Sequence, residues 1–129
     1  MKVAFATDDF VHPNQHFGWA KLFQVYRGGP GGFHLWETRV VAEGGAAESD
    51  KIAARLAAVA DCHLVCVAAI GGMAAARLVR SGIHPLAAGE GEEIQVILER
   101  LSRTLENNPP PWLRKILLRE TAEGGDARP

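Results

Sequence analysis

The chain has 129 residues, 47% hydrophobic and 22% charged, a balance that suits one compact domain with its own core. A formal net charge of −1 offers none of the basic excess by which nucleic-acid binders are recognised, and no window reaches the roughly 18 consecutive apolar residues of a membrane helix. The apolar run Val3–Thr7 stops at Asp8 and Asp9, too short for a secretory h-region, and two cysteines make no disulfide framework, so a cytoplasmic protein with no membrane partner is expected.

Lys2 to Thr7 reads as a first strand, stopped by Asp8-Asp9. The loop Asp8 to Gly18 follows, with Pro13, Asn14 and two histidines. Leu22 to Tyr26 alternates as a second strand, the Gly28-Gly29-Pro30-Gly31-Gly32 run predicts a tight turn, and Phe33 to Val41 returns as a third strand. The period then changes. Glu48 or Ser49 can cap a helix carrying Ile52, Leu56, Val59 and Ala60 on one face. His63 to Ile70 is a continuous apolar run, the pattern of a strand covered on both faces. Gly71-Gly72 opens a second helix, Met73 to Arg80, and Ile83 to Ala87 is a short fifth strand. A last helix, Glu92 to Asn107, aligns Ile94, Ile97, Leu98, Leu101 and Leu105.

The element order is therefore βββαβαβα. A strand–helix–strand crossover gives the buried strand parallel company, and the expected fold is an α/β, ribonuclease H-like domain with a mixed five-stranded sheet flanked by helices. The folded part is expected to span residues 1–118, followed by a disordered tail, 119–129, with almost nothing to bury.

Three segments resemble the nitrogenase iron–molybdenum cofactor-binding family of NifX and NafY type. The first is Val3-Ala4-Phe5-Ala6-Thr7-Asp8 with Asn14-Gln15-His16-Phe17-Gly18 and Phe23-Gln24-Val25-Tyr26. The second runs from Asp61-Cys62 to Ile70-Gly71-Gly72 and Ser81-Gly82-Ile83. The third, Asn108-Pro109-Pro110-Pro111-Trp112-Leu113-Arg114-Lys115, is similar to the C-terminal signature of NifX proteins. The resemblance implies a non-enzymatic carrier that transiently binds an iron–sulfur precursor of the iron–molybdenum cofactor (NifB-cofactor-like), or the finished cofactor. It also implies partners among the assembly proteins of nitrogenase, a cluster donor and a scaffold.

It places the cargo on Asn14, Gln15, His16, Phe17, Gly18, Gly71 and Gly72, with His16 as the metal ligand. Imidazole is a good ligand for iron. Read from the residues alone, His16 is more often a loop histidine that hydrogen-bonds within its own loop. Storage clusters usually take four thiolates, and a carrier that must release its cargo suits fewer bonds. Gly71-Gly72 either frees helix amides for an anion or permits close packing of helix on strand; both readings stand at this point. Cys62 and Cys66, four strand steps or about 13 Å apart, are expected to be structural. Trp112 either covers an edge of the core or docks on a partner.

Two other functions are weighed against the carrier. A two-metal nuclease needs several carboxylates at the sheet surface, and His63 to Ile70 carries none. A module binding a small anion or a protein without iron would use the same loop and glycine pair.

Overall fold

The computed structural model describes residues 1–124. Its five strands are β1 (Lys2–Ala6), β2 (Leu22–Gly29), β3 (Gly32–Val40), β4 (Leu64–Val67) and β5 (His84–Ala87). Four helices accompany them: α1 (Glu48–Ala58), α2 (Gly72–Arg80), α3 (Ile94–Glu106) and α4 (Pro111–Gly124). The strands form one mixed sheet in the order β3-β2-β1-β4-β5. β1 is antiparallel to β2 and parallel to β4, and β4 is parallel to β5.

The alternation of β1 explains why the sheet has two covered faces. Ala4 and Ala6 face one core together with Phe23, Val25, Val65 and Val67, under Ile52 of α1 and Ala74 and Leu78 of α2. Val3 and Phe5 face the other with Leu64 and Cys66, under Ile94, Ile97, Leu98, Leu101 and Leu105 of α3. All four residues of β4 are buried, as a strand with helices on both sides requires. The β2–β3 turn is as tight as its glycines predict: a Cβ on Gly28 would stand 2.1 Å from the Gly32 carbonyl oxygen, and Gly32 has φ +115°.

The structure shortens the strand expected over His63 to Ile70 to Leu64–Val67 and corrects the sequence reading in three further places. A fourth helix, α4, follows the three prolines, with Pro111 as its first residue, where its fixed φ suits a helix start. Leu113 and Ile116 of α4 join the α3 core. This helix crosses the boundary expected at residue 118: the Met1 amino group pairs with Glu120, and Arg119 donates to the Gly82 carbonyl. The tail expected to be disordered is thus helical over its first part, and residues 125–129 lie outside the described residues. Finally, α1 has Ala47 at its N-cap with no side-chain bond, so neither Glu48 nor Ser49 caps it.

Candidate functional site

The loop leaving β1 is braced by its own side chains. The Thr7 hydroxyl accepts the Phe10 amide at 3.0 Å. The Asp9 carboxylate accepts the Val11 and His12 amides at 2.9 and 2.8 Å and meets His12 Nδ1 at 2.7 Å. These bonds, that with the His12 ring first, hold its carboxyl well below the usual carboxylate range. Asn14 closes the neck of the loop: its Oδ1 accepts the Asp8 amide at 3.1 Å, and its Nδ2 donates to Asp8 Oδ1 at 2.8 Å. Asn14 is therefore spent on the loop.

Beyond the neck the chain lies against the carboxyl end of β4. The Ala68 amide donates to the Gln15 carbonyl at 2.9 Å, the Phe17 amide donates to the Ala69 carbonyl at 2.9 Å, and His16 forms a parallel bridge with Ala69. Phe17 is fully buried and anchors a short 3-10 turn, Phe17–Trp19, to the core. The backbone of His16 is thus fixed from both sides.

The His16 ring is exposed, and among the described residues neither of its nitrogens has a hydrogen-bond partner. It is held by its face: the Trp19 indole stacks on it with centroids 4.7 Å apart and planes at 28°. The bland reading, a histidine bonded within its own loop, describes His12 and not His16.

His16 stands at a groove of about 220 Å³ lined by Phe17, Gly18 and Trp19 on one side. Glu48 and Ile52 of α1 face it, and the rest of the wall is Ala69, Ile70, Gly71, Met73 and Ala74. The sequence-predicted set divides: His16, Phe17, Gly18 and Gly71 line the groove, whereas Asn14, Gln15 and Gly72 do not.

Gly18, Gly71 and Gly72 have no atom within 4 Å of where a Cβ would stand. Gly71, the N-cap of α2, has an ordinary φ of −75° and no side-chain bond caps the helix. Neither conformation nor close packing requires glycine at Gly71 or Gly72, which removes the reading of the pair as a packing device. What remains is open room beside first-turn amides that have no helical partner, a setting that favours anions.

Sequence reasoning missed Trp19, Glu48 and Met73. Trp19 and Met73 are 68% and 64% exposed. Each follows a singled-out glycine directly, and that adjacency was the available signal.

The cysteines stand elsewhere. Cys62 precedes β4, whereas His16 bridges Ala69 beyond its far end. Both thiols are free and buried, and burial pushes each up to about 12, so neither offers a thiolate. Among the described residues no three His, Cys, Asp or Glu side chains gather where a metal ion could be held, and no helix is long and apolar enough to cross a membrane.

A family model described as "Dinitrogenase iron-molybdenum cofactor" matches residues 1–104. NifX of Herbaspirillum seropedicae is 40% identical over 121 residues, covering 91% of this chain and 82% of that protein. The chain belongs to the dinitrogenase iron-molybdenum cofactor family, NifX type. The family's sequence also recurs in larger proteins: the FeMo cofactor biosynthesis protein NifB of Bradyrhizobium diazoefficiens is 37% identical over 87 residues, 65% of this chain and 17% of that protein. A crystal structure, that of PH0822, shares the fold of this family member with a TM-score of 0.51 at 19% identity, covering 88% of this chain and 98% of that one.

Proposed function

We propose that this family member is a carrier and not an enzyme. It holds an iron–sulfur precursor of the iron–molybdenum cofactor, NifB-cofactor-like, or the finished cofactor, transiently at the His16 groove. It passes that cargo in the cytoplasm from a cluster donor to a scaffold among the assembly proteins of nitrogenase. The sheet order β3-β2-β1-β4-β5 supports a ribonuclease H-like description of the fold.

One observation carries the reading: a histidine fixed at its backbone and on its ring face, with both nitrogens unspent, at the mouth of a groove with vacant glycine positions. Imidazole supplies one bond to iron. The amides at the start of α2 favour the negative charge of a sulfide-rich cargo, and Ile52 and Ile70 give an apolar wall. A single exchangeable ligand beside an open groove suits release as well as capture.

The experiment is anaerobic loading with isolated precursor, followed by gel filtration and iron analysis. His16→Ala is expected to fold normally and to retain much less iron than the parent, with partial recovery in His16→Cys through a thiolate. His34→Ala, on β3, is expected to load as the parent does. Equal iron per protein in His16→Ala and parent would falsify the assignment. A module for a small anion, the second reading the α2 amides favour, would bind its ligand without the brown charge-transfer absorption of a loaded cluster.

A further inference from the structure

We infer that Trp19 is a positioning residue for His16, holding the imidazole by its face so that both ring nitrogens stay available to the cargo. The inference rests on the carrier reading and deepens it by naming what presets the ligand.

A histidine can be fixed through a ring nitrogen or through its face. The same loop shows the first solution in His12, whose Nδ1 is bound to Asp9 at 2.7 Å. A ring fixed that way has one nitrogen fewer to offer. His16 uses the second solution, with Trp19 stacked 4.7 Å away. The 3-10 turn makes the pair possible: the Trp19 amide donates to the His16 carbonyl at 3.1 Å, which folds residue 19 back over residue 16.

Core stability does not explain the tryptophan. Its side chain is 68% exposed, and among the described residues His16 is the one ring it stacks on. A large indole left in water contributes little burial, whereas a stack on a ligand removes rotamer freedom before the cargo arrives. Immobilising one such side chain on binding is worth about two- to tenfold in affinity, and Trp19 supplies that immobilisation in advance.

The test uses the full chain with ¹³C-labelled histidine. The probe is a synthetic [4Fe–4S] cluster with exchangeable thiolate ligands, offered anaerobically, and the readouts are iron retained after gel filtration and the imidazole Cε1–H resonance of His16. In the parent that resonance is expected to be shifted by the indole ring current. Trp19→Ala should move it to the free-imidazole position and lower retention about fivefold, with the melting temperature nearly unchanged. Trp19→Phe should restore both the shift and the retention, which a loss of folding would not predict. An unmoved resonance in Trp19→Ala, or a moved resonance with undiminished retention, overturns the positioning role and leaves His16 as a ligand. Undiminished retention in His16→Ala removes the ligand itself, and the carrier reading at this groove falls with it.

Discussion

The two ends of β4 each carry a histidine stacked on a tryptophan. At the carboxyl end His16 lies on Trp19, 4.7 Å apart, with the indole 68% exposed and a groove beside them. At the amino end His84, paired with Leu64, lies on Trp112 at 4.1 Å with planes at 12°. There the tryptophan is 37% exposed and rides on α4, whose neighbouring Leu113 is fully buried. Burial pushes the His84 imidazole below its ordinary value. Each pair lines a groove of about 220 Å³, the lower one walled by Val79, Gly82, Ile83 and Ile116, and the lower tryptophan is the more covered of the two. The two stacks differ in how much of the indole their surroundings cover.

Ending the chain at Asn107 tests the lower end most severely. It strips Leu113 and Ile116 from the α3 core, and a loss of at least about 4 kcal/mol is expected in urea unfolding. A truncated chain that unfolds at the parent's urea midpoint would make α4 an appendage.

The two tryptophans can then be set against each other. Trp112→Ala is expected to cost about 1–2 kcal/mol, and Trp19→Ala to stay within about 0.5 kcal/mol of the parent. Equal costs in thermal or urea unfolding would erase the distinction between the two ends.

At the upper end, Gly71→Ala adds a methyl group where no protein atom lies within 4 Å. Folding should be nearly unaffected, while cluster retention drops at least about fivefold if cargo uses that space. Unchanged retention would show the space to be idle.

The smallest effect concerns pH. His84 titrates below 6.5 in the fold, so the unfolded chain binds more protons as pH falls through that value. The stability tied to its neutral form is complete above pH 6.5 and declines as pH falls through the lower folded value. His84→Phe keeps the stack without the titration, and its unfolding midpoint should vary less between about pH 7 and pH 5 than the parent's. Parallel curves would show that this stack does not sense protons.

The sheet was largely legible because its strands advertise themselves: β4 is apolar on both faces, and the glycines around Pro30 mark the hairpin. The stripe of α3 was legible for the same reason, all five predicted residues being buried. Helix α4 was not, since three prolines read as punctuation and its buried pair, Leu113 and Ile116, is too short a run to establish a period. Arg55, buried on α1 with Glu43 accepting from it at 2.7 Å, was hidden too, because composition places arginine at the surface. Of the groove's lining, His16 and Gly71 stood out in the sequence by their motifs. The opposing wall did not: Glu48 and Ile52 arrive from a helix some thirty residues away in sequence.

The cysteines permit one more use of the molecule. Cys62 is buried in the layer under α1 and α2, and Cys66 in the layer under α3 and α4. A thiol reagent reaches either only when its own layer opens. Alkylation followed by mass spectrometry would therefore run as two independent clocks, one for each face of the sheet, in the unmodified chain. Cargo seated in the His16 groove would touch the first layer alone, so it should slow the Cys62 clock and leave the Cys66 clock at its unloaded pace.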